Sequence, residues 1–112
     1  MRIPTHRAPT SPGEMLREEF LKPLGVSQSE LARRLGISFP RVNEIVNGKR
    51  PITGDTALRL SRLLGTTPDF WLNLQHACDL YKLRNSRTAR VIHREVKPLP
   101  GIQRTRLSLA PD

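Results

Sequence analysis

Across residues 11–84, apolar residues recur at spacings of three and four, in blocks separated by Gly, Pro, Ser and Thr. That period belongs to amphipathic helices, not strands. Five helices are predicted. The first starts at Ser11, where Ser-Pro-Gly-Glu is a capping-box pattern with proline at the first helical position. Leu16 and Phe20 share its face, and Pro23 is expected to end it, because proline lacks the N–H that a helix interior needs. The second starts at Ser27, with Glu30 three residues on. It carries Leu31 and Leu35, with Ala32 beside them, and stops at Gly36. The third starts at Ser38, holds Pro40 in its first turn and closes at Asn47-Gly48. The fourth starts near Thr53, turns Ala57, Leu60, Leu63 and Leu64 inward, and ends at Gly65. The fifth starts at Thr67-Pro68, with Asp69 suited to its dipole. It uses Trp71, Leu72, Leu74 and Leu80 as an apolar side and runs to about Leu83.

Outside this block the pattern weakens. Residues 1–10 hold two prolines and no apolar period, which reads as an extended arm. Residues 85–112 hold Pro98, Pro100, Gly101, Pro111 and six basic residues. This segment is expected to be weakly structured or to fold on a partner, as a dimer or partner contact. Within it, Ala89–Val96 fits either a helix or a short strand. The alternation of Val91 with His93, and the pairing of Ile92 with Val96, favours the strand.

Charge adds a location to this outline. The 112-residue chain has net charge +9. Residues 1–10 carry +2, residues 11–84 carry +3 and residues 85–112 carry +4. Within the helical block, residues 27–50 hold Arg33, Arg34, Arg41, Lys49 and Arg50 against Glu30 and Glu44, which is the whole +3. A basic excess confined to one supersecondary unit points to a polyanion there. Cys78 is the one cysteine, so an internal disulfide framework is excluded, which fits a reducing compartment such as a cytoplasm. No apolar run approaches the ~20 residues of a membrane span, and the opening MRIPTHRAPTSPG lacks the apolar core of a secretory signal.

The second and third helices, joined by Leu35-Gly36-Ile37-Ser38, form a helix-turn-helix. The glycine permits the sharp turn, Ile37 plugs the core beneath it, and Val42, Ile45 and Val46 face inward. That leaves Phe39, Pro40, Asn43, Glu44 and Asn47 on or near the outer face, with Arg41 at its edge. A helix so placed enters the major groove with its N-terminal end while its predecessor crosses the backbone. By residue type, Arg41 can take guanine bidentately or pair with phosphate. Asn43 can read adenine, Glu44 can accept from cytosine, and Phe39 can pack on a thymine methyl group. Ser38 and the free amides behind it can hold a phosphate, as can Gln28 and Ser29 at the start of the second helix. Lys49 and Arg50 follow the helix along the backbone. Against this, Glu44 can simply pair with a neighbouring base, and Asn47-Gly48 is an ordinary helix end.

No other constellation carries chemistry. His76 and Cys78, at i and i+2, do not share a helix face, so neither a metal nor a catalytic pair is expected. A half-buried histidine and an inert thiol are expected instead. No nucleophile–base arrangement or phosphate-cradling glycine loop is present, so no enzyme and no cofactor are expected.

The stretch SPGEMLREEFLKPLGVSQSELARRLGIS, followed by RVNEIVNGKRPITGDTALRLSRLLGTTPDFWLNLQ, resembles the HigA-type antitoxins of the Cro/C1-like (XRE, lambda-repressor-like) superfamily. The likeness runs from about Pro12 to Leu83. PGE–LREEFL, NEIVNGKRPIT and FWLNLQ are its specific parts. Phe39-Pro40 stands where the family varies, so the operator sequence does not transfer. The resemblance implies an all-α five-helix domain, with no membrane association. It also implies an antitoxin that neutralises a HigB-type mRNA-cleaving toxin and represses its own operon as a homodimer on a palindromic operator. The fifth helix and the segment after it are expected to supply the dimer surface. Two other readings stay open: a stand-alone phage-type repressor, and a protein-interaction module that no longer binds DNA.

Overall fold

Each helix begins at a serine or threonine whose hydroxyl accepts a backbone N–H from three residues further on. In a computed structural model, which describes residues 8–102, six helices start this way. Helix α1 is assembled from Pro12–Leu16, a π-helical turn Arg17–Leu21 and Lys22–Leu24. It is followed by α2 (Gln28–Leu35), α3 (Phe39–Val46), α4 (Gly54–Leu64), α5 (Pro68–Arg84) and α6 (Arg87–Glu95). The caps are Ser11, Ser27, Ser38, Thr53, Thr67 and Ser86. Each satisfies an amide that the helix itself cannot, typically worth about 1 kcal/mol. The described residues divide after Lys82 into two units.

The first unit is organised around Leu16, Leu31, Val42, Leu60 and Trp71, none more than 2% exposed. Leu35, Ile45, Val46, Ile52 and Ala57 complete the centre, so every element from α1 to α5 contributes. Fully burying one such side chain is worth about 1.5–3 kcal/mol. Trp71 anchors α5. Its ring meets Phe20 of α1 at 5.5 Å and Phe70 edge-on at 5.0 Å. Its indole N–H donates to Thr66 Oγ1 at 2.7 Å. Phe70 is thereby committed to the core edge, whereas Leu80 further along α5 is half exposed.

Two expectations are corrected. Pro23 does not end α1; it lies inside the helix, which stops at Gly25 with φ 65°. A proline ring normally collides with the carbonyl four residues back. Here the preceding turn is π-helical, with the Lys22 N–H donating to the Arg17 carbonyl, five residues back. The wider turn moves the offending carbonyl aside and the helix continues. The second correction concerns Ala89–Val96. These residues are helical, within α6, and no strand occurs among the described residues. Period-two alternation over so few residues does not separate strand from helix, and Ser86 supplies the helix start. The fold is therefore all-α with six helices, not five and a strand. Of the expected N-terminal arm, residues 1–7 lie outside the described residues, as do 103–112 of the basic tail.

Candidate nucleic-acid interface

The turn between α2 and α3 is built as its sequence predicts. Gly36 adopts φ 73°, and the Ile37 N–H returns to the Ala32 carbonyl at 3.1 Å. Ile37 is half-buried against the core. Val42, Ile45 and Val46 point inward, none more than 4% exposed. The opposite face of α3 is therefore free, and Phe39 at its start is 47% exposed although it is a large apolar ring. Pro40 beside it is exposed too.

The expected reading residues are held in a network. Asn43 Nδ2 donates to Gln28 Oε1 at 3.0 Å, and Asn47 Nδ2 donates to Asn43 Oδ1 at 3.1 Å. This amide ladder ties the start of α2 to the middle and end of α3. Glu44 Oε1 accepts from Arg50 Nε at 2.8 Å, so the carboxylate pairs with a cation from the following loop. Arg41 leans towards α4, where its Nη2 donates to Asp55 Oδ1 at 3.1 Å and to Thr56 Oγ1 at 2.8 Å. The Ser38 hydroxyl oxygen is occupied as the α3 cap. Ser29 and Lys49 lie exposed at the two ends of the unit.

Several positioning residues have partners that no local sequence pattern indicates. Arg59 of α4 donates to Asp55 and also, through Nη1, to the Leu35 carbonyl at 2.9 Å, closing the end of α2. Asp55 is thus shared by two guanidiniums; the Arg59 hydrogen bond first, and that of Arg41 second, hold its carboxyl below the usual carboxylate range. Gln75 Oε1 of α5 accepts the Ile52 N–H at 2.8 Å and fixes the loop after α3. Gly13 is buried where α1 meets the end of α3. A Cβ there would lie 2.5 Å from the Val46 carbonyl oxygen and closer still to that of Ile45. Only glycine lets the two helices approach so near. A hint existed for Gln75, within FWLNLQ, but nothing in the sequence says which backbone amide it serves.

The residues considered for other chemistry are placed as follows. His76 is exposed, not half-buried as expected. Cys78 is half-buried, with its thiol near the Pro9 and Thr10 carbonyls, and burial pushes its pKa up, away from the reactive thiolate. No helix among the described residues is long and apolar enough to cross a membrane.

Comparison with known proteins agrees with this geometry. A helix-turn-helix family model matches residues 17–71. The chain is 46% identical over 81 residues to antitoxin HigA-1 of Vibrio cholerae serotype O1, covering 72% of this chain and 76% of that protein. Among solved structures, antitoxin GraA in complex with its operator superposes with a TM-score of 0.77 at 44% identity, over 88% of this chain and 98% of that one. The antitoxin HigA of Pseudomonas aeruginosa, solved with the higBA promoter, gives a TM-score of 0.76 at 42% identity, over 81% and 98%. With its capped α2–α3 unit, its α5 anchor and this degree of identity, the chain belongs to the HigA-type antitoxins of the Cro/C1-type helix-turn-helix family.

Proposed function

We propose that this chain binds operator DNA as a homodimer to repress its own operon, and neutralises a HigB-type mRNA-cleaving toxin, with no catalytic activity of its own, in a bacterial cytoplasm. The observation that carries the reading is α3 itself, with its apolar face buried and Phe39 and Pro40 presented outward at its N-terminal end. The operator complexes of related structures support it.

In this reading Phe39 and Pro40 enter the major groove first. Asn43 and Glu44 read base edges, and Asn47, Gln28, Ser29 and Ser38 steady the backbone. Lys49 and Arg50 neutralise phosphates beyond the helix. Arg41 reads a base by exchanging its Asp55 and Thr56 partners for guanine, so its net gain is smaller than that of a free arginine. A dimer places two α3 helices about 34 Å apart, one duplex turn. Arg41→Ala then weakens operator binding by about 1 kcal/mol, the low end for a bidentate base contact, and relaxes one position. If preference among operator variants is unchanged, Arg41 contacts phosphate only.

The antitoxin half is tested by co-expression with the protein encoded next to this chain. Growth arrest by that protein should be relieved, and the two should purify together. Repression without rescue or capture would leave a stand-alone repressor, the second reading.

A further inference from the structure

Helix α6, in the unit after Lys82, divides its residues into two faces. Ala89, Ile92, His93 and Val96 of the helix line one groove, which Leu83 and Pro98 complete with the flanking cations Arg84 and Lys97. Arg87, Arg90 and Arg94 are absent from that groove and exposed. Their spacing of three and four residues sets them in a single stripe. Arg94 approaches Glu95 at 3.8 Å, a loose surface pair, and no ion pair forms at Arg87 or Arg90 among the described residues.

This arrangement opposes helix stability. Three like charges along one face repel each other. Arg87 sits in the first turn, at the positive end of the helix dipole, and no acidic residue shares that turn. The Ser86 cap and the placement of Arg94 in the last turn favour the helix, but no acidic residue among the described residues pairs with Arg87 or Arg90. A polyanion would offset both costs.

We propose that the Arg87, Arg90 and Arg94 stripe is a second nucleic-acid surface, separate from α3, that takes the phosphate backbone of duplex DNA without reading sequence. Geometry fits such a partner. From Arg87 to Arg94 the helix rises about 10 Å at 1.5 Å per residue. One DNA strand presents a phosphate about every 3.4 Å of axis, so the stripe spans roughly three. Planar guanidiniums bind phosphate bidentately.

The test uses the full chain and fluorescence anisotropy over a salt series, with the operator duplex and a scrambled duplex of equal length. The variant carries Arg87→Ala, Arg90→Ala and Arg94→Ala together. Alanine at exposed helical sites favours the helix, and circular dichroism checks that it persists. The slope of log affinity against log salt should fall by up to about 2.7 per chain on both duplexes, at about 0.9 per phosphate contact. The ratio of operator to scrambled affinity should not change, and a variant with lysine at all three positions should keep most of the slope. An unchanged slope in the alanine variant overturns the proposal. So does a selective loss of operator preference, or an unchanged slope accompanied by lost binding to phosphatidylserine vesicles. If the wild-type chain fails to prefer its operator, the α3 reading fails, and the slope difference on the scrambled duplex still decides the stripe.

Discussion

Gly13→Ala sets two effects of opposite sign against each other. Replacing glycine by alanine within a helix normally gains about 0.5–1 kcal/mol, through the smaller entropy of the unfolded chain. At Gly13 the added carbon meets the Ile45 and Val46 carbonyls, at 2.5 Å from the latter. Ordinary contact needs about 1 Å more, so α1 and the end of α3 must separate. Both are backbone and cannot swing away as a flexible side chain would. Overpacking costs about 1–3 kcal/mol, and with two backbone carbonyls in the way this site lies at the upper end, about 2–3 kcal/mol, so the clash wins and the net loss is about 1–2 kcal/mol. For a domain of this size the melting temperature should fall by roughly 5–15 °C. The control is Gly54→Ala, at the first position of α4, where nothing lies within 4 Å of the added carbon and φ is not positive. That variant should hold or raise the melting temperature. Thermal or urea unfolding of both variants beside the wild type is the assay. If Gly13→Ala is as stable as Gly54→Ala, the close approach of α1 to α3 does not exist as described.

Other outcomes follow from the same geometry. Trp71→Ala removes the central ring of the first unit and should cost about 3–5 kcal/mol, enough to abolish cooperative unfolding in a marginal domain. The Asp55 carboxyl is lowered by Arg59 and then Arg41, so its contribution is present above the ordinary carboxylate range and lost as pH falls below it. The stability gap between wild type and Asp55→Asn should therefore shrink between pH 7 and pH 3, and be smaller in high salt, since the pair is exposed; a gap independent of pH contradicts the pairing. Lys49→Ala should weaken binding to all duplexes alike and reduce the salt slope by about one. Sequence-selective loss would make Lys49 a reader instead.

The sequence announced its helix starts because serine and threonine hydroxyls act locally, within three residues. It announced the inward faces of α2 to α4 because burial repeats with the helix. It does not show the end of α1, because the π-helical turn that accommodates Pro23 has no local sequence signature. It missed the helical state of Ala89–Val96 because too few residues were available to fix a period. The outer residues of α3 were identifiable by type, but their engagements were not. Whether Arg41 points outward or toward Asp55 depends on where α4 lies, and Gln28 meets Asn43 only once α2 and α3 cross. Such partners lie 14 or more residues apart, beyond any local pattern.

The most direct test of the central claim is equilibrium binding of this chain to the DNA upstream of its own gene, measured across salt against a scrambled duplex of equal length. Preference for the upstream DNA is expected, with a log-linear loss of affinity as salt rises. Asn43→Ala should reduce that preference while leaving the salt slope unchanged. Equal affinity for both duplexes, or a salt response that is flat, would contradict an operator-reading role for α3.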